Sequence, residues 1–299
     1  MKSEADRFGM SVALATPFAE NSSVNHQELV LHARWCLEHG CDSVTLFGTT
    51  GEGPSLTSQE RMEGLAVALE AGIMPEQIVL GVIPTTISEA VEETRTALVQ
   101  NTKAVLLAPP FYFNGPSEDG VFLWYSAVLD ALGSDARDII LYNIPSLTQV
   151  PISVELVSRL RKKYGRIIRG VKDSSCDWSI TKPLVQTHGD IDILVGDERD
   201  LAPAVRIGGS GAIGGLANLF PAQVRDLVEG RDNKFITDLV ELVVSEPVVS
   251  SIKAIIAHQK SDDSWSRPRL PLLGLTVQKQ TKFFEKLVYL QQQHGVSLK

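Results

Sequence analysis

Eight short β-like runs recur along the chain with helical stretches between them, and this recurrence limits its fold more than any other feature. They lie near Val12–Ala15, Ser43–Phe47, Ile78–Val82, Ala104–Ala108, Ile139–Tyr142, Ile167–Lys172, Ile191–Val195 and Gly211–Ile213. Successive runs start typically about 25 to 35 residues apart, enough for a crossover helix between parallel strands. Strand and helix alternating in this way predict a parallel sheet covered by helices. Periodicity alone leaves a closed barrel and an open doubly wound sheet both available. Eight regular units without a G-x-G-x-x-G fingerprint favour the (β/α)8 TIM barrel. From about Phe220 the strands stop, and Val224–Glu229, Phe235–Val244, Val248–His258 and Lys279–Gln293 read as helices. The expected division is a barrel over residues 1–222 and a helical region over 223–299. That region is short, so its apolar faces must be buried on the barrel or on a neighbouring subunit.

Three segments carry chemistry. Gly170-Val171-Lys172-Asp173-Ser174 ends the sixth run on a lysine. A buried strand end is a costly place for an ammonium, and a neutral amine there is a nucleophile that forms a Schiff base with a ketone. A lysine snorkelling to solvent is the plainer reading of that segment taken alone. Phe47-Gly48-Thr49-Thr50-Gly51-Glu52-Gly53 leaves the second run with two hydroxyls and several unencumbered amides, a group suited to an anion. No nucleotide-binding pattern can be laid over it. Leu141-Tyr142-Asn143-Ile144-Pro145 ends the fifth run on a phenol able to donate or accept a proton. In a (β/α)8 barrel all three segments fall at the C-terminal strand ends, where active sites form.

Charge and composition exclude several partners. A net charge of −8 argues against nucleic acid or a membrane surface, and no run approaches the roughly 18 apolar residues of a membrane span. Met1–Arg7 lacks the apolar core of a secretory signal. The three cysteines, Cys36, Cys41 and Cys176, show no metal spacing and read as buried free thiols of a cytoplasmic protein. The six histidines are scattered, so no catalytic metal is expected.

With these segments in their observed order, the chain resembles the dihydrodipicolinate synthase and N-acetylneuraminate lyase family of class I, pyruvate-handling aldolases. The motifs are Gly48-Thr49-Thr50-Gly51-Glu52, Tyr142-Asn143-Ile144-Pro145, Gly170-Val171-Lys172-Asp173, and the glycine-rich Gly208-Gly209-Ser210-Gly211-Ala212-Ile213-Gly214-Gly215. The resemblance implies a TIM barrel with a C-terminal helical extension, no cofactor and a small 2-oxo acid as substrate. It implies Lys172 as Schiff-base nucleophile, Tyr142 as proton shuttle, and Thr49 and Thr50 as the carboxylate anchor. The main-chain carbonyl of Ile213 would face the bound pyruvate unit. It also implies a homodimer or homotetramer. The synthase branch sends a tyrosine into its partner's relay from the position of Phe113, which keeps the packing but has no hydroxyl, so the relay is broken or rebuilt through the preceding Tyr112. Glu52 is expected to stabilise a helix N-terminus electrostatically, and Asp173 to be an orienting or solvent-facing carboxylate.

Departures from the pattern bear on the substrate. The synthase branch places an Arg at the position of Leu147 to hold the carboxylate of aspartate semialdehyde, and Leu cannot supply a bidentate pair. The lysine-inhibition histidines of some synthases fall at Ser58 and Arg61, which argues against feedback by lysine. Sialic-acid lyases share the Leu but read Gly-Ser-Thr-Gly-Glu in the first motif and Phe-Thr after the lysine. The expected activity is therefore a Schiff-base lyase or aldolase acting on a 2-keto-3-deoxy sugar acid or related hydroxy-oxo acid. Dihydrodipicolinate synthase, N-acetylneuraminate lyase and a non-catalytic 2-oxo-acid binder are the alternatives. If aspartate semialdehyde were the acceptor, another cation, Arg199 or Arg206 for example, would have to supply the lost charge.

Overall fold

Eight parallel strands close into a barrel in chain order, with the eighth paired to the first. They are β1 (Gly9–Ala13), β2 (Ser43–Leu46), β3 (Ile78–Val82), β4 (Ala104–Leu107), β5 (Ile139–Asn143), β6 (Ile168–Asp173), β7 (Asp192–Val195) and β8 (Gly211–Gly214). This computed structural model describes residues 7–297. Almost all of the Met1–Arg7 segment lies outside the described residues. The helices are α1 (His26–Glu38), α2 (Ser58–Glu70), α3 (Ile87–Val99), α4 (Glu118–Leu132), α5 (Pro145–Thr148), α6 (Val154–Tyr164), α7 (Trp178–His188), α8 (Glu198–Arg206) and α9 (Pro221–Val228). Three more follow: α10 (Lys234–Val244), α11 (Val248–Lys260) and α12 (Val277–His294). The fold is the (β/α)8 barrel that the recurring runs predict. Two boundaries move appreciably: β1 starts at Gly9 and α9 at Pro221, each three residues before the expected run.

Two apolar layers hold the barrel. The larger lies between strands and helices, and the smaller fills the barrel interior with Phe8, Val79, Leu106, Ile140, Tyr142, Leu194 and Ile213 among others. Strand side chains alternate between these layers, as the two-residue period requires. Strand β6 breaks the alternation: Ile168 and Val171, three apart, both face the helices. A bulge makes this possible, because Ile139 pairs with Ile168 whereas Ile140 pairs with Gly170, skipping Arg169. The skipped Arg169 turns to the N-terminal end of the barrel. There it donates to the Lys103 carbonyl at 2.6 Å and to Asp192 at 3.1 Å, with its guanidinium over the Phe8 ring. Beyond the bulge the register runs Leu141–Val171, Tyr142–Lys172, Asn143–Asp173. Without it Lys172 would pair with Asn143 and face the helices, since a one-residue slip exchanges the two faces.

The last three helices pack at one side of the barrel. Helix α11 is buried from Ser250 to Ala257. Helix α12 packs on α10 and buries Phe283, Leu287 and Gln291 along one face. Burying Phe283 and Leu287 contributes roughly 1.5–3 kcal/mol each, enough to anchor α12 against fraying. Among the described residues, no helix is long and apolar enough to cross a membrane.

Candidate active site at the barrel mouth

Strand β5 ends at Asn143 and β6 at Asp173, so their adjacent register partners Tyr142 and Lys172 both point into the barrel at its C-terminal end. Lys172 is 4 % exposed. Its Nζ donates to the Tyr142 phenol oxygen at 3.3 Å and lies 4.3 Å from the ring centroid. The same phenol oxygen is 3.0 Å from Thr49 Oγ1. Thr49, Tyr142 and Lys172, from three different strand ends, thus form one hydrogen-bonded chain. Thr50 follows Thr49 on the half-buried face of the loop, and Ile213 sits in β8 with its side chain in the interior layer beside Tyr142. A buried amine, a phenol and a hydroxyl in series can carry a proton to and from an adduct on the amine.

The neighbouring Asn143 and Asp173 face outward and hold the two strand ends together. Asn143 Nδ2 donates to Asp173 Oδ1 at 2.8 Å, and Asn143 Oδ1 accepts from the Ile152 amide at 2.9 Å. Asp173 also accepts from the Ser175 hydroxyl at 3.0 Å and from Thr181 Oγ1 on α7 at 2.6 Å. Asp173 is therefore an orienting group, and at 2 % exposure it is not solvent-facing. With its oxygens so occupied, it is poorly placed to exchange protons with a substrate.

Glu52 differs from expectation. It adopts a left-handed conformation (φ +57°), and its buried carboxylate turns away from the α2 N-terminus. Thr57 and Glu60 cap that helix instead. Glu52 Oε1 accepts from Lys253 Nζ on α11 at 2.5 Å, and Oε2 accepts from the Arg269 amide at 2.7 Å. Arg61 is likewise inward, paired with Glu93 and donating to the Gly53 carbonyl at 3.0 Å. Cys36 and Cys41 are buried as expected. Cys176 is not: it lies exposed in the β6–α7 turn, which reverses at φ +57°.

One titratable group near Lys172 escapes the motifs. Glu198 opens α8, two residues beyond Gly196 at the end of β7, and is 6 % exposed. Its Oε1 accepts from the Leu216 amide at 3.0 Å, just past β8. Gly214 permits this approach, since a Cβ there would come within 2.6 Å of Oε1. Burial pushes the carboxyl up to about 7, with the Leu216 amide and the charge of Lys172 opposing the rise. The sequence held a signal, because the strand-end rule that picks out Lys172 also applies at β7.

Arg199 and Arg206, the two cations named as replacements for the missing guanidinium, are engaged. Arg199 donates to Asp197 through Nε at 2.9 Å and Nη2 at 2.6 Å, and to Glu241 at 2.7 Å. Arg206, on the last turn of α8 and so toward the other end of the barrel, donates to Asp232 and to the Gly230 carbonyl, each at 3.0 Å. Leu147 on α5 is 60 % exposed beside the mouth. Tyr112 and Phe113 project from the β4–α4 loop at 76 % and 79 % exposure, rings edge-on at 5.3 Å. Neither hydrogen-bonds to, nor stacks its ring on, the Thr49–Tyr142–Lys172 chain within the subunit.

The chain matches the Dihydrodipicolinate synthetase family over residues 6–290. It is 46% identical to dihydrodipicolinate synthase from Agrobacterium tumefaciens, whose crystal structure superposes with a TM-score of 0.93 over 95% of this chain and 99% of that one. It is 33% identical over 288 residues to an uncharacterized DapA-like lyase of Chloroflexus aurantiacus, covering 91% of this chain and 93% of the relative. Over 222 residues it is 32% identical to the 4-hydroxy-tetrahydrodipicolinate synthase of Chloroherpeton thalassium, covering 74% and 72%. A match of this extent, on a closed eight-stranded barrel with a buried lysine near the C-terminal end of the sixth strand, makes the protein a member of the dihydrodipicolinate synthetase family, a class I Schiff-base carbon–carbon lyase.

Proposed function

We propose that the protein releases pyruvate from, or condenses it into, a 2-keto-3-deoxy sugar acid or related hydroxy-2-oxo acid. The hydrogen-bonded series Thr49–Tyr142–Lys172 is the observation that carries this reading. The Lys172 amine adds to the C2 ketone, and Tyr142 supplies the proton with which the C2 oxygen leaves as water. The resulting iminium accepts the electron pair released when the C3–C4 bond breaks, giving an enamine, while the C4 hydroxyl loses its proton and becomes an aldehyde. Protonation of the enamine at C3 and hydrolysis of the iminium return pyruvate and the free amine. Thr49 and Thr50 hold the 2-oxo acid's carboxylate so that C2 faces the amine, and the carbonyl of Ile213 lines the opposite side.

Leu147 supports an acceptor without a second carboxylate. An apolar side chain stands in the α5 turn, and Arg199 and Arg206 already bind carboxylates of their own. The second reading is 4-hydroxy-tetrahydrodipicolinate synthase, favoured by the names of the relatives. A homodimer or homotetramer accompanies either reading: burying the exposed Tyr112–Phe113 pair against a neighbour suits an aromatic-anchored interface. In such an interface Tyr112 is the residue of the pair with a hydroxyl to lend to a relay. A panel of 2-keto-3-deoxy acids assayed for pyruvate release, beside condensation of pyruvate with aspartate semialdehyde, separates the two. Pyruvate release from one panel member at a kcat/KM far above the condensation supports the first reading. Efficient condensation alone overturns it.

A further inference from the structure

The second buried lysine among the described residues, Lys253, plays no part in the chemistry above. It lies in the buried stretch of α11, Ser250 to Ala257, and its side chain has no solvent exposure. Its Nζ meets Glu52 Oε1 at 2.5 Å and stands 4.3 Å from the centroid of Phe18. Glu52 is equally closed to solvent, so the pair is dry. Burial pushes the Lys253 ammonium down to about 8, against the pull of the Glu52 carboxylate and with the added repulsion of Arg269.

This pair sits behind the anion loop. Glu52 is two residues from Thr50, and its left-handed backbone is an unfavourable conformation for a residue with a Cβ. The loop folds back on itself there, the Glu52 amide donating to the Thr49 carbonyl and the Gly53 amide to the Gly48 carbonyl, both at 3.0 Å. Two strong contacts of the Glu52 side chain, to Lys253 and to the Arg269 amide, hold that turn from outside. Arg269 is fixed in turn by Glu60 of α2 at 2.7 Å and by the Ser55 carbonyl at 2.9 Å. The preceding residue of α11, Ile252, reaches the end of β8: a Cβ on Gly215 would lie 2.8 Å from Ile252 Cδ1 and 3.6 Å from Thr50 Oγ1. The helical region thus grips the loop at the points that set where the Thr49 and Thr50 hydroxyls sit.

We infer that Glu52 and Lys253 are positioning residues: the buried pair holds the Thr49–Thr50 loop in the shape that binds a 2-oxo-acid carboxylate. The pair acts on affinity for that acid and leaves the reaction at Lys172 intact. The inference rests on the Schiff-base reading above and adds a role for the C-terminal helices. A solely structural ion pair would affect stability and affinity together, whereas a positioning pair separates them.

Pyruvate with sodium borohydride tests this without knowledge of the acceptor. The readouts are the pyruvate concentration giving half-maximal modification of Lys172 and the modification reached at saturation. Glu52→Gln and Lys253→Met should each raise half-saturation about ten-fold, as small misplacements of binding groups do, with the saturating yield retained. The double variant removes both charges, and so the unpaired buried charge that destabilises each single one. Its thermal midpoint should recover towards wild type while its half-saturation stays raised. Recovery of both together, or singles with unchanged half-saturation, overturns the proposal. Should Lys253→Met not fold, isosteric Glu52→Gln and the double variant decide. Wild-type protein that forms no adduct at saturating pyruvate is a separate outcome, which overturns the Schiff-base reading itself.

Discussion

Lys172 and Tyr142 face each other because one residue, Arg169, is left out of the pairing between β5 and β6. The Lys172 amine donates to the Tyr142 phenol at 3.3 Å only in the register that follows this bulge. The bulge itself lies at the other end of the barrel, where Arg169 is held by Asp192, Asp138 and the Lys103 carbonyl. A feature at the stability end of the strand thereby fixes the geometry of the reactive end.

Tyr142→Phe keeps the ring in the interior layer and removes the oxygen that joins Thr49 to Lys172. Folding should be retained. Turnover should fall by about 10²–10⁴, the usual contribution of a positioned proton donor or acceptor. Borohydride trapping should still find Lys172, more slowly. Circular dichroism with the trapping rate checks this, and an unchanged rate would remove Tyr142 from the proton path.

Arg169→Ala should act on stability without touching the chemistry. It deletes charge-assisted bonds to a buried Asp192 and a carbonyl, costing about 1.5–3 kcal/mol. Urea unfolding should register the loss while kcat stays within about two-fold of wild type. A collapse of kcat in protein that remains folded would mean that the bulge cannot form without the arginine.

Much of this was legible in the sequence, for a physical reason. The barrel was readable because the strands are short, largely apolar runs buried on both faces, and the strand-end rule then brought Thr49, Tyr142 and Lys172 to one rim. The bulge was not readable, because Ile167, Ile168 and Val171 satisfy the composition of a strand in either register. The partner of Glu52 was hidden for another reason: its ligand is 201 positions away and reaches it only through the packing of α11. Cys176 looked like a core thiol, but the turn after Asp173 carries it outward.

Glu198 predicts a pH dependence of stability. Its carboxyl is raised from 4.5 to about 7 on folding, so the folded state holds the proton that the unfolded state has released. Its contribution is complete below about pH 4.5 and is lost as pH rises through about 7, amounting to about 3 kcal/mol at most. Glu198→Gln should flatten that slope. Urea denaturation of both proteins at pH 5 and pH 7.5 measures it, and parallel slopes would count against a buried, protonated carboxyl.

Leu147 predicts specificity. An acceptor carboxylate beside it lacks charge-assisted bonds worth about 1.5–3 kcal/mol each, so condensation with aspartate semialdehyde should run at least about two orders of magnitude below that of an Arg-bearing enzyme. Leu147→Arg should raise kcat/KM for that aldehyde. Robust wild-type condensation, unimproved by the arginine, would point to the synthase reading.

Lys172 is the nucleophile on which the proposed chemistry turns, and one measurement addresses it directly. The protein is incubated with pyruvate, reduced with borohydride, digested, and the modified residue located by mass spectrometry. A single reduced pyruvate adduct on Lys172, absent from Lys172→Ala protein that remains folded, is the predicted result. An adduct on another lysine, the buried Lys253 included, or no adduct at saturating pyruvate, would contradict it.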